Sequence, residues 1–416
     1  QVVVAAQGRA TAQALQREWE SPFLERLKGE SDWQSRLTIP YGGADSSRLD
    51  VHSTLKGMAI DLPQPAAKSM AETRPLALTW QLGLNNNRPN RLVYGELMSA
   101  VWHHQLKPFQ LVGAAVVFGG KSEPPLPEKS LLRISGTLEN VAFKEWLQLR
   151  EELIAEEQDA PRLPIELKMQ RLHLVPSSVE GNGKPLQVKD TTPLSFHVDS
   201  FAYGDVPLGR VEFRLRPDNT KLLLNDLNIR APSFSATGRG QWVEGENTSI
   251  GLTLSSDDFG RMIRELGFAS VVTGGEASAT GKLFWPGTPA SFSLSQLEGV
   301  VHVKIDDGRI EDVKPGAGKL LGLLSLQALP RRLFLDFSDL AEKGLQFTTI
   351  EGDIRLAGGD AFTQNLHIES LPANMLITGR TGLVQRDFDQ MIAVIPNVSD
   401  TVSVAGGLAW GPQAAA

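Results

Sequence analysis

Apolar and polar residues alternate along most of this chain, and this period of two constrains the fold more than any other feature. Within residues 249–255, for example, Ile250, Leu252 and Leu254 alternate with serine, glycine and threonine. Successive side chains of a β-strand point to opposite faces, so such a segment has one apolar and one polar face. About twenty such segments occur, separated by turn residues at intervals of roughly 10 to 20 residues. The pattern predicts a mainly β protein.

Glycine and other turn-forming residues mark where consecutive strands are joined. Asp307-Gly308 and Gly358-Gly359 each lie between alternating segments, which predicts two β-hairpins. Asn182-Gly183 and Pro217-Asp218 predict further turns.

Helical periodicity is confined to a few short segments. Residues 143–156 carry most of their apolar residues on one stripe, which predicts an amphipathic helix. Residues 22–28 follow a serine and begin with proline, both typical of a helix start. Residues 258–266 precede a glycine, as helices often do. Residues 319–329 are apolar nearly all round, which predicts a buried helix that caps one end of the β structure.

Composition excludes several functional classes. The net charge is −7 and the longest basic block is the pair Arg331-Arg332, whereas a nucleic-acid-binding protein needs a basic stripe. The chain has no cysteine, which excludes disulfides and thiol chemistry but fits either an oxidising compartment or the cytosol. Its longest apolar run, 111–118, is too short to cross a membrane. Because no signal segment precedes it, the chain is interpreted as a processed or excised fragment whose membrane anchor lies elsewhere.

Sequence motifs for catalysis are absent, so we expect no enzyme, cofactor or metal site. The one histidine pair, His103-His104, would point to opposite faces of a strand and chelate poorly. An acidic cluster formed by Asp306, Asp307, Glu311 and Asp312 could serve a carbohydrate-active β-solenoid enzyme if two carboxylates converged in a cleft. A hairpin with a solvated face explains the same cluster more simply.

One long block of sequence carries a family resemblance. Residues 314–357 combine a glycine-led apolar helix, Pro330-Arg331-Arg332, an alternating strand ending in Asp336-Phe337, and Lys343-Gly344 shortly before a phenylalanine. This block resembles the AsmA-like C-terminal region of YhdP-type proteins. Residues 49–63, 132–147 and 375–396 resemble other parts of the same family in the right order. The resemblance therefore covers nearly the whole chain, although the further apolar segment expected after the last residues is missing.

The resemblance implies a fold and a function. It implies a long, curved, antiparallel β-sheet that forms a hydrophobic groove with a few short helices, divided into AsmA-like segments 1–160 and 161–416. It also implies a periplasmic protein, anchored to the bacterial inner membrane, that bridges to the outer membrane and shields phospholipid acyl chains. Its partners would be phospholipid, both membranes through regions outside this chain, and envelope proteins. The family offers no catalytic residues to carry over.

The residues expected to contact lipid are the apolar members of the alternating segments in the second half of the chain. They are Ile250, Leu252, Leu254, Phe292, Leu294, Val301, Val303, Ile305, Leu333, Leu335 and Phe337. A closed β-sandwich or β-helix would bury the same residues as ordinary core. A non-catalytic envelope scaffold without bound lipid therefore stays open as an alternative.

Overall fold

A computed structural model describes residues 1–19, 22–41, 47–82, 88–106, 109–120, 122–154, 162–176, 187–268, 272–311 and 344–397. The described residues form 21 strands and four short α-helices. The prediction of a mainly β protein with few helices is thereby confirmed. The strands fall into two compact units, which are described separately.

The first unit contains residues Gln1–Leu254, Glu265–Gly267 and Phe284–Phe292. Its helices are α1 (Ala12–Glu18), α2 (Pro22–Glu25) and α3 (Phe143–Ile154), with a 3-10 turn at Val188–Asp190 and another at Pro289–Ser291. Its strands are β1 (Val2–Thr11), β2 (Leu27–Ile39), β3 (Ser47–Ser53), β4 (Met58–Ile60), β5 (Leu76–Leu82), β6 (Asn90–Tyr94), β7 (Met98–Leu106), β8 (Phe109–Phe118), β9 (Leu132–Val141), β10 (Ile165–Leu174), β11 (Leu194–Tyr203), β12 (Val206–Asp218), β13 (Lys221–Arg230), β14 (Ser235–Val243) and most of β15 (Asn247–Ser256).

The second unit contains residues Ser255–Arg264, Phe268–Leu283 and Ser293–Ala416. Its elements are most of α4 (Phe259–Glu265), most of β16 (Val272–Pro286), a 3-10 turn (Leu294–Gln296), β17 (Glu298–Ile310), β18 (Leu345–Ala357), β19 (Asp360–Ser370), β20 (Ala373–Gly382) and β21 (Phe388–Pro396).

The sheet of the first unit is mostly antiparallel, as expected, but it also contains three parallel pairs. Strands β5 to β8 pair antiparallel in chain order, as do β11 to β14. Between these groups, β8, β9, β10 and β11 pair parallel. A parallel pair needs a connection long enough to return to the starting end of the sheet. The three connections here, one of which contains α3, meet that requirement. Alternation of apolar and polar residues within a strand does not indicate whether the strand pairs parallel or antiparallel.

Strands β17 to β21 of the second unit form an antiparallel meander. The hairpin predicted at Gly358-Gly359 is confirmed, because Ala357 pairs with Asp360 across a two-residue turn. Both glycines have positive φ angles, 61° and 85°, as a type I′ turn requires.

This turn gives a prediction about stability. A Cβ atom at Gly358 would meet no atom within 4 Å, so only the left-handed backbone opposes substitution. We expect Gly358→Asn to change the free energy of unfolding by less than about 0.5 kcal/mol, since asparagine tolerates this conformation. Gly358→Val should cost about 1–2 kcal/mol. Urea unfolding of both variants checks this, and equal stabilities would contradict the assignment of the turn.

Two of the other predicted turns differ from the structure. Asp307-Gly308 is not a hairpin: β17 continues through it, with Asp307 at a φ of 54°. Strand β18 pairs with β17 on both sides of this position, so the chain keeps its partners and does not turn. Pro217-Asp218 ends β12, and the turn itself is Asn219-Thr220. Asn182-Gly183 lies outside the described residues.

Two helix predictions are confirmed. Residues 143–154 of the predicted 143–156 form α3. Helix α4 begins after Asp258, whose Oδ1 accepts the N–H of Arg261 at 2.9 Å, and Gly267 beyond it has a φ of 85°. The predicted helix at 319–329 lies outside the described residues.

The remaining helix prediction is too long, and one helix was not predicted. The segment 22–28 is helical only through Glu25, because Leu27 and Lys28 pair with β4. Helix α1 was missed, although its N-cap signal is present: the Thr11 hydroxyl accepts the N–H of Ala14 at 3.2 Å. None of the helices among the described residues is long and apolar enough to cross a membrane.

Strands β9 and β10 lie on either side of residue 160, pair with each other and belong to the same unit. The division into AsmA-like segments 1–160 and 161–416 stays a prediction about how the family's sequence is organised.

Candidate functional site

An unbroken row of apolar side chains crosses nine strands of the first unit. Each member is the register partner of the next, so all of them lie on one face of the sheet. In order, the row contains Val51, Leu78, Leu92, Ala100, Val116, Ile134, Leu167, Phe196 and Phe213. We call it the central row. All members except the buried Ala100 are half-buried, so the row is partly accessible.

Beside the central row, four residues of a parallel row on the same face are buried. Tyr94, Met169, Val198 and Val211 each lie two residues along the strand from a central-row member, and they are 7%, 1%, 0% and 4% exposed. We call this the helix-side row, since the helices pack against it. The face is therefore closed on one side and partly open along its middle.

Helices α1 and α3 supply part of this cover. Ala12 of α1 packs in one cluster with Tyr94 and with residues of the segment 55–62. Trp146 of α3 packs against the cluster around Met169, and its indole N–H donates to the carbonyl of Gln64 at 2.9 Å.

Two cations hold the covering segment in place. Lys68 is 3% exposed, and its ammonium donates to the carbonyls of Met58 (2.8 Å) and Ser69 (2.9 Å). Burial lowers the pKa of Lys68. Arg74 donates to two carbonyls of the same segment and lies over the ring of Tyr94, 5.0 Å from its centroid. The cover is thus tied to the helix-side row.

The opposite face of the sheet is polar, and polar side chains contact one another across its strands. Arg133 and Glu166, register partners on β9 and β10, are joined at 2.9 Å. His197 and Glu212 are partners on β11 and β12, 3.1 Å apart. This sheet is amphipathic, and only its inner face, which carries the central row, can hold an apolar ligand.

A polar and aromatic cluster interrupts the inner face on the other side of the central row. The rings of Trp80 and Trp102 lie 5.7 Å apart, and Trp80 also lies 4.9 Å from the ring of His104. Asn90, 1% exposed, joins the group: its Oδ1 accepts the Gln81 N–H at 2.9 Å, and its Nδ2 lies 2.9 Å from His104 Nδ1. We call these residues the indole cluster.

The hydrogen bonds of Asn90 define the protonation state of His104. Since Oδ1 of Asn90 is the acceptor for a backbone N–H, its Nδ2 is a donor, so His104 Nδ1 must accept and the ring is neutral. Burial, and next the neighbouring His103, lower the pKa of His104. A protonated ring would place two donors against each other and a charge on an apolar face.

A pH dependence follows. In the unfolded chain this histidine titrates near its ordinary pKa of 6.5, above its folded value. As the pH falls, the unfolded state therefore binds a proton at this histidine before the folded state does. The free energy of unfolding has its full value above about pH 6.5 and decreases as the pH falls towards the folded pKa. We expect the melting temperature of His104→Gln to fall less between pH 7 and pH 5 than that of the wild type. His52→Gln, on the exposed polar face, is the control. Parallel profiles for all three proteins would contradict the assignment.

The corresponding apolar ladder of the second unit is closed. Ile305, Ile350, Ile368, Met375 and Val394 are successive register partners from β17 to β21. The first four are 6%, 2%, 2% and 5% exposed and form one buried cluster with Phe347 and Ile377. This ladder packs as a core.

The residues predicted to contact lipid lie in different environments. Ile250, Leu252 and Leu254 are half-buried on one face of β15, while Gly251 and Thr253 between them are exposed. Val301 and Val303 are half-buried on β17, next to the buried Ile305.

Two of the predicted lipid-contacting residues lie outside any strand. Phe292 and Leu294 lie between β16 and β17, with 52% and 41% of their surfaces exposed. Leu333, Leu335 and Phe337 lie outside the described residues. None of the central row was predicted, although residues 76–82 carry the same alternating signal.

Two carboxylates of the acidic cluster are hydrogen-bonded to neighbouring side chains. Asp306 accepts hydrogen bonds from Lys304 (2.8 Å) and Thr349 (2.9 Å), and the lysine in particular lowers its pKa. Glu311 accepts a hydrogen bond from Thr273. A general acid needs a raised pKa, so Asp306 is unsuited to that role. Asp312 lies outside the described residues, and among those that are described no group of acidic or histidine side chains could hold a metal.

Comparison with known proteins places these features in context. The chain matches the family described as "YhdP protein" over residues 1–175 and 154–416. It is 26% identical, over an alignment of 474 residues, to the Escherichia coli (strain K12) protein named "Intermembrane phospholipid transporter YhdP". That alignment covers 93% of this chain and 36% of the relative, so the chain spans about a third of the relative's length. No solved structure matches.

Proposed function

The chain belongs to the YhdP protein family, and we propose that its central row carries phospholipid acyl chains as one segment of a lipid bridge between membranes. The observation that supports this most is the row itself: nine apolar partners on neighbouring strands, eight of them half-buried, on the inner face of an amphipathic sheet. The printed name of the Escherichia coli relative, an intermembrane phospholipid transporter, points the same way.

The physics of acyl-chain transfer suits such a row. Exposing a sixteen-carbon chain to water costs about 0.8 kcal/mol per methylene, or roughly 12 kcal/mol in all. Nine strands spaced by about 4.8 Å give a row roughly 38 Å long, longer than one extended acyl chain. Because hydrophobic contact is non-directional, an acyl chain can slide from one member of the row to the next without breaking specific bonds.

The proposal includes a cellular setting. The chain lies in the periplasm as part of a longer protein that is anchored in the inner membrane and delivers lipid towards the outer membrane through regions outside this chain. It acts on lipid by shielding and carries out no covalent chemistry.

Native mass spectrometry of the gently purified chain, with lipid extraction of the same sample, tests the proposal. We expect one or more glycerophospholipids to remain bound to the folded protein. A folded protein free of lipid, which also fails to take up phospholipid from vesicles, would overturn the proposal and leave the scaffold alternative.

A further inference from the structure

Two indole N–H groups of the indole cluster have no acceptor within the described part of the protein. Trp80 and Trp102 are half-buried on the inner face, next to Leu78 and Ala100 of the central row. Elsewhere the indoles of Trp146 and Trp285 donate to carbonyls at 2.9 and 3.1 Å. The indoles of Trp80 and Trp102 make ring contacts only. Each indole therefore keeps a hydrogen-bond donor beside the apolar central row.

These two rings are held in place by their neighbours. The ring of His104 is packed against Trp80, and Asn90 fixes His104 through its Nδ1. Asn90 also donates to the carbonyl of Trp102 at 3.2 Å, so one buried amide connects both tryptophans. A donor held in this way loses little freedom when an acceptor arrives.

We propose that Trp80 and Trp102 form a subsite for the ester and phosphate oxygens of a glycerophospholipid whose acyl chains lie on the central row. This inference rests on the proposed function and adds an orientation to it. Ester and phosphate oxygens are acceptors only, which matches two free donors. Tryptophan suits such a boundary, since one part of the ring is apolar and the N–H is polar.

The arrangement of the rows gives the direction of the lipid. The helix-side row is closed by α1, α3 and the segment pinned by Lys68, so that side has no room for a headgroup. The indole cluster lies on the other side of the central row, about 7 Å further along each strand. The polar end of the lipid therefore lies over β5 to β7, with its chains directed towards the central row.

A competition experiment tests this subsite. The apolar fluorophore N-phenyl-1-naphthylamine reports occupation of the central row, and palmitoyl-oleoyl-phosphatidylglycerol displaces it. The variant Trp80→Phe/Trp102→Phe keeps the aromatic surface and removes both donors. We expect its affinity for the fluorophore to match the wild type and the phospholipid concentration needed for displacement to rise about tenfold. Trp33→Phe, a half-buried tryptophan of the same unit outside the cluster, should behave like the wild type.

The outcomes separate the two proposals. If the double variant is displaced as easily as the wild type, the subsite is refuted while lipid binding by the central row stands. If the wild type binds neither the fluorophore nor the phospholipid, the proposed function itself fails. Equal loss of both ligands in a folded double variant would also refute the subsite, because it would show a role in shaping the apolar face only.

Discussion

We expect Leu167→Glu to weaken phospholipid binding sharply while the protein stays folded. Leu167 is half-buried near the middle of the central row, between Ile134 and Phe196. A carboxylate there would have to lose its hydration against an acyl chain, which costs several kcal/mol. An acyl chain that extends from a headgroup over β5 to β7 along the row towards β12 crosses β10 and meets this cost. We expect the affinity for a fluorescent phospholipid, measured by dequenching on extraction from vesicles, to fall at least a hundredfold.

The adjacent residue is the matched control. Lys168 lies on the same strand but is exposed on the polar face. Lys168→Glu introduces the same side chain one position away and should leave phospholipid binding within about twofold of the wild type. Equal losses in the two variants, with both proteins folded by circular dichroism, would show that binding does not depend on the inner face.

The second large effect concerns stability. Ile350→Ala should lower the free energy of unfolding of the second unit by about 2–5 kcal/mol, because Ile350 is 2% exposed at the centre of a closed cluster. Leu167→Ala in the half-buried central row should cost only about 1–2 kcal/mol. Guanidinium unfolding of each variant gives both values.

This comparison distinguishes a core from an accessible surface. Glu351→Ala, next to Ile350 but exposed on the opposite face, should change stability by less than about 1 kcal/mol. Were Ile350→Ala no more destabilising than Leu167→Ala, the ladder of the second unit would not be a core, and the distinction drawn between the two units would fail.

Local features of the fold were predictable from the sequence because local chemistry fixes them. Alternation identified the strands, and Gly358-Gly359 identified a hairpin whose two positive φ angles only such residues adopt easily. Asp307-Gly308 carries the same signal, yet β18 pairs with β17 on both sides of it, so the strand continues through the position. Turn chemistry shows where a chain is able to reverse, and pairing partners decide whether it does.

The candidate site was harder to predict because it depends on register. The central row exists because Val116, Ile134, Leu167 and Phe196 are aligned across three parallel pairs, and long connections of different length set that alignment. The sequence of a single strand does not indicate how that strand is aligned with its neighbours. The sequence predicted apolar faces in general, but could not separate the buried Ile305 from the half-buried Leu167, since burial depends on which elements pack over each face.

Photo-crosslinking with a phospholipid that carries a diazirine within its acyl chain tests directly whether acyl chains lie on the central row. After irradiation of the wild-type complex and proteolysis, mass spectrometry locates the modified residues. We expect adducts on the central row, such as Val116, Ile134 and Leu167, with labelling suppressed by unlabelled phospholipid. Adducts confined to the polar face, or labelling that unlabelled lipid does not suppress, would contradict this expectation.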